Sequence, residues 1–194
     1  MPLRILLLAW LPAAHAHHAM DYATPATALD GLLSGLAHPV IGVDHLLFIV
    51  AAGVLAAQAR LGLALLLAFV IASVLAAALR AAGAGLELHE AWVAVSLLVL
   101  AALLLGRATL PPAVLAALFA AGGMVHGQAL GASVVGAEQS PLAAYFIGLI
   151  VVQCAIAASG WALCAWVRGR WPSMPLQRFM GATLGGAALL FLGL

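Results

Sequence analysis

The sequence predicts an all-α integral membrane protein with six transmembrane helices after a cleavable signal peptide. Three observations carry that prediction. Of 194 residues, 66% are hydrophobic and 7% are charged, against about 25% charged in a soluble domain. Mean hydropathy is +1.21. The apolar residues gather into long stretches divided by short polar breaks. A backbone facing lipid must satisfy its own hydrogen bonds, so these stretches are helices.

Residues 1–16 read as the signal peptide. Arg4 gives the positive start, Ile5 to Leu11 the apolar core, and Ala14-His15-Ala16 the small-residue cleavage box. The core is too short to span a bilayer. Cleavage after Ala16 makes His17 the new N-terminus, where the terminal amine and its own imidazole can chelate a metal. An incidental residue of a cleavage region is an equal reading of His17. Residues 17–194 then form one transmembrane domain, opening with a short polar lead-in to about residue 28.

The six apolar stretches run over about 29–59, 61–82, 89–105, 111–134, 141–167 and 176–194. Each reaches or approaches the roughly 20 residues that a bilayer demands. Arginine placement sets the orientation. With the mature N-terminus outside, the cytoplasmic loops hold Arg60, Arg107, Arg168, Arg170 and Arg178, and the outer segments hold only Arg80. That is a clear positive-inside bias, and it places both mature termini outside the inner (plasma) membrane. The acidic Asp21, Asp30, Glu87 and Glu138 fall on the outer side and draw cations towards that mouth.

Composition also excludes. Net charge is +1, lysine is absent and there is no basic tract, so nucleic acid is not a partner. No G-x-x-x-x-G-K-[ST] loop is present, so the chain does not itself hydrolyse ATP. Cys154 and Cys164 lie about 15 Å apart along one expected helix, too far for a disulfide.

The chemistry concentrates in His38-Pro39-Val40-Ile41-Gly42-Val43-Asp44-His45. An ionisable side chain at membrane depth costs roughly 2.5–3.5 kcal/mol on insertion scales and usually faces an interior or a cavity. Imidazole nitrogen with carboxylate oxygen suits nickel, cobalt and zinc. On a continuous helix His38, Gly42 and His45 share a face, with Asp44 about 100° away. Pro39 suits a helix's first turn, so His38 is a candidate cap where a segment over 28–37 meets a longer helix. A polar patch that fastens two helices together is the plain alternative.

Three other stretches carry polar groups. The third begins His89-Glu90 and places Ser96 further along; Glu90 either points inward or meets headgroups. The fourth repeats glycine every four residues at Gly123, Gly127 and Gly131, a stripe for close helix contact, and His126 borders it. His126 is read as a ligand or relay rather than a satisfied core histidine. Gln153 in the fifth stretch either lines a path or bonds across helices.

These residues resemble the HupE/UreJ family, whose members accompany hydrogenase and urease operons. The hallmark H-P-x-x-G-x-D-H stands complete as His38-Pro39, Gly42 and Asp44-His45. Glu90 with Ser96, and His126-Gly127, match the family's third and fourth helices. The resemblance implies a permease for Ni²⁺ or Co²⁺, with hydrogenase or urease maturation proteins as partners. The chain departs from the family at Leu130, Ser133 and Ala157, where potential ligands are usual, and at Ile49. The inherited metal set is therefore His38, Asp44, His45, Glu90 and His126, joined by His17.

The leading reading is a secondary transporter carrying a divalent transition metal inward, and not an enzyme. Inward movement of a dication gains about 4.6 kcal/mol per 100 mV. Two alternatives stand beside it. One is an intramembrane zinc hydrolase, since Zn²⁺ suits the same donors. The other is a non-transporting metal sensor or accessory protein. Six helices in so short a chain also make a homo-oligomer plausible.

Overall fold

The computed structural model describes residues 24–85, 90–106 and 110–193. The expected signal peptide, its cleavage site and His17 lie outside the described residues. The helices are α1 (Ala28–Ile41), α2 (Val43–Ala56), α3 (Gly62–Ala81), α4 (Glu90–Gly106), α5 (Pro112–Gly131), α6 (Gln139–Arg170) and α7 (Leu176–Phe191), with a 3-10 turn at Ala132–Val134. No strand occurs among the described residues.

Among the described residues, three helices are long and apolar enough to cross a membrane: α3, α5 with its 3-10 turn, and α6. The pair α1 and α2 is a fourth candidate, bent by 76° at its break. Helix α4 has 17 residues and α7 has 16, short of the roughly 20 that span unaided. All six expected stretches are thus helical, but among the described residues three or four of them meet the length of a full crossing where the sequence predicts six. The protein is a multi-pass helical membrane protein.

The break in the first stretch is displaced from its expected place. Instead of parting at His38, the chain stays helical through Pro39 to Ile41 and parts at Gly42, whose backbone is extended at φ −70° and ψ 95°. Pro39 sits inside the last turn of α1 rather than the first turn of a new helix. In the last turn its missing N–H leaves the Gly35 carbonyl without its helical i+4 donor, a loss that the first turn of a helix would not incur. His38 and His45 therefore do not share one helix face. They flank a corner: His38 lies in the last turn of α1 and His45 in the first turn of α2. At the far end of α1, Thr27 and Asp30 form a reciprocal capping box, with bonds of 3.1 and 3.0 Å.

Small residues let the helices touch backbone to backbone. A Cβ on Gly123, Gly127 or Gly131 would strike the carbonyl oxygen of Phe69, Ser73 or Ala77, so α5 lies flush along α3 as its glycine stripe predicts. Helix α6 does the same with α1 and α2: Gly31 meets Pro141, Gly35 meets Tyr145, and Gly53 meets Ala157. The 32 residues of α6 make a rod of about 48 Å, long enough to back both halves of the broken pair.

The register of these contacts sorts the helix ends. Gly62, at the start of α3, abuts Trp161 far along α6, and Gly181 of α7 packs on Ala101 and Leu104 of α4. The starts of α2, α4 and α6 and the ends of α3 and α5 therefore meet at one end of the bundle. Asp30, Asp44, Glu90 and Glu138 belong to that end, together with Arg80. Arg60, Arg168, Arg170 and Arg178 belong to the other. Between the ends, Phe48, Phe69, Leu97, Leu104 and Phe119 build the apolar core.

Candidate metal centre

The corner at Gly42 brings the first two histidines towards α5. The rings of His38 and His45 are 6.1 Å apart between centroids, and those of His45 and His126 are 4.9 Å apart. All three side chains are buried. His45 Nδ1 and His126 Nδ1 approach to 2.6 Å. Gly42 makes room for this: a Cβ there would lie 2.7 Å from His45 Cδ2. Phe48 covers the third side, with its ring 4.3 Å from that of His126. Gly122 in turn leaves space for the tip of Phe48.

Hydrogen bonding fixes where the protons sit. Ser96 Oγ donates to the Val93 carbonyl at 2.6 Å, which uses its one hydrogen. His126 Nε2–H must then be the donor to Ser96 Oγ across 3.0 Å. In a neutral ring that leaves the lone pair on His126 Nδ1, so His45 Nδ1–H donates across the 2.6 Å contact. The chain of donors runs from α2 through α5 to α4. Asp44 steadies its start: Oδ1 accepts the backbone N–H of His45 at 2.8 Å and stands 4.0 Å from His45 Nδ1.

A second network holds His38. Tyr145 OH donates to the Leu130 carbonyl at 2.7 Å, and Ser133 Oγ donates to the same oxygen at 3.0 Å. Both hydroxyls have spent their hydrogens, so His38 Nδ1–H is the donor to Ser133 Oγ at 3.1 Å and to Tyr145 OH at 3.4 Å. Leu130 and Ser133 thus supply a carbonyl and a hydroxyl that orient His38. Further along α6, Gln153 Nε2 donates to Ser73 Oγ at 2.8 Å, so Gln153 bonds across helices.

The sequence-predicted ligands divide accordingly. His38, His45 and His126 converge, and Asp44 lies beside them, half-buried. Glu90 is exposed at the first residue of α4; from that helix it is Ser96 that reaches His126. Among the described residues no three His, Cys, Asp or Glu side chains are arranged to hold an ion as they stand. Two nitrogens bound to one ion at about 2.0–2.1 Å in a tetrahedral site stand about 3.3 Å apart, so the His45–His126 pair must part to admit a metal. Sequence reasoning missed Tyr145, which orients His38, and Phe48, which walls the pair. Tyr145 is one of two tyrosines in the chain, set in an apolar helix, and a buried phenol there needs a partner.

The family model described as HupE / UreJ protein matches residues 5–191, nearly the whole chain. No match is found among curated proteins or among solved structures.

Proposed function

This chain belongs to the HupE/UreJ family, which is linked to nickel and cobalt handling, and on that premise we propose that it is a permease carrying Ni²⁺ or Co²⁺ across the inner membrane into the cytoplasm. The observation that carries the reading is the 2.6 Å contact between His45 Nδ1 and His126 Nδ1, buried in the bundle. Two imidazoles from different helices, held nitrogen to nitrogen, are donors of the kind nickel and cobalt prefer. Asp44 supplies a carboxylate at the open side of the pair, and His38 stands across the corner. An ion that takes the place of the shared proton would find His45 in its other tautomer, with the hydrogen moved from Nδ1 to Nε2 of the same neutral ring, because the neutral imidazole is the ligand. The membrane potential drives the movement, at about 4.6 kcal/mol per 100 mV for a dication moving inward.

The carboxylates at the histidine end form the collecting mouth in this reading, and the arginine end is cytoplasmic. Glu90 belongs to that mouth, and His17, at a processed N-terminus, delivers ions to it. The test is uptake of radiolabelled nickel by cells expressing His45→Ala or Asp44→Ala at wild-type levels. Loss of a supporting residue near a metal typically costs 10–100-fold, so loss of a direct ligand lowers accumulation at least that far. Wild-type accumulation by His45→Ala refutes the reading.

A further inference from the structure

The arginine end contains a second feature, unrelated to the histidines. Between the α2–α3 turn and the starts of α5 and α7 lies a cavity of about 450 Å³. Arg60, Gln58 and Gln177 line it together with Leu65, Leu103 and Leu115, and among the described residues no carboxylate does. We propose that this cavity binds an anionic phospholipid, with Arg60 taking the phosphate and the leucine wall taking the start of an acyl chain.

Three properties support one occupant of this kind. The first is charge. Arg60 is exposed in the turn that ends one membrane passage and begins the next, which holds its guanidinium at headgroup level. The capping positions Leu61, Pro111 and Pro175 of α3, α5 and α7 make no side-chain cap bond. The partial positive charge of three helix starts therefore adds to that of the arginine. The second is hydrogen bonding. Gln58 Nε2 donates to the Val54 carbonyl at 3.0 Å and keeps a second hydrogen, and Gln177 brings another amide to the same wall. A phosphate accepts from amides and guanidinium alike. The third is the wall itself. Inorganic phosphate gains nothing from leucine side chains, whereas a lipid covers them with its own chain. A divalent cation is the wrong occupant for the same electrostatic reasons, so this site is not a station for the cargo.

Basic pockets between membrane helices recognise anionic headgroups, with about 1 kcal/mol for each arginine or lysine near the surface, or about fivefold in affinity. The test is native mass spectrometry of the full-length protein from mixed micelles of phosphatidylglycerol and phosphatidylcholine. The wild type retains phosphatidylglycerol about fivefold over phosphatidylcholine. Arg60→Gln removes that preference, and Arg170→Gln, an exposed arginine outside the cavity, keeps it. Three results overturn the proposal: a preference that survives Arg60→Gln, an equal loss in Arg170→Gln, or displacement of the lipid by millimolar inorganic phosphate. The first denies Arg60 a role, the second reduces the effect to diffuse surface charge, and the third makes the ligand a free anion.

Discussion

The interface between α3 and α5 and the corner between α1 and α2 use glycine for opposite ends. On α5, three glycines at four-residue spacing put two helix backbones against each other along their length. At the corner, the chain ends one helix, turns through 76° and starts another with a histidine on either side, and the missing side chain of Gly42 leaves room for the His45 ring. The first arrangement is periodic and does nothing but pack. The second is aperiodic and delivers two imidazoles and a carboxylate to a third imidazole on α5. Close packing elsewhere is what lets a break at this corner persist, because α6 backs both α1 and α2.

That contrast is open to direct attack. Gly127→Leu produces the largest effect. Any side chain at this position meets the Ser73 backbone, which cannot move aside. The cost is about 3 kcal/mol, the upper end for overpacking, and monodisperse protein after detergent extraction is lost. Gly42→Ala has a different outcome. Its Cβ meets a side-chain atom, His45 Cδ2, at 2.7 Å, so the ring swings and the helices stay. Nickel affinity by calorimetry drops about 100-fold, in the range seen when groups that orient ligands are lost, while the melting temperature barely changes. If both variants unfold, the corner is a packing element like the stripe and the contrast collapses. Tyr145→Phe has the smallest effect. It removes one of the two donors to the Leu130 carbonyl and one partner of His38. Stability falls by about 1 kcal/mol, with nickel bound at the His45–His126 pair as before.

The same contrast explains what the sequence made legible. The α5 stripe was readable because four-residue spacing maps onto one helix face without knowledge of the partner. Helical class and the apolar stretches were readable because lipid leaves the backbone no alternative. The corner was readable only as an inventory. His38, Gly42 and His45 have helical spacing, and a break at Gly42 rather than His38 cancels the face that spacing implies. The local signal points to the other placement, since Pro39 suits a helix's first turn and not its last. The roles of Ser96, Ser133 and Tyr145 depend on which helices become neighbours. Glu90 shows the converse, a residue with the right chemistry at an exposed helix start.

The central claim is that His45 and His126 share one metal ion although they now share a proton. Nickel K-edge X-ray absorption of the purified, nickel-loaded protein measures this directly, by the number of imidazoles in the ion's first shell. The account predicts that His126→Ala and His45→Ala each remove one imidazole from the wild-type shell while the protein stays folded. An unchanged shell in His126→Ala would contradict it, and would return the 2.6 Å contact to the role of a hydrogen bond between two helices.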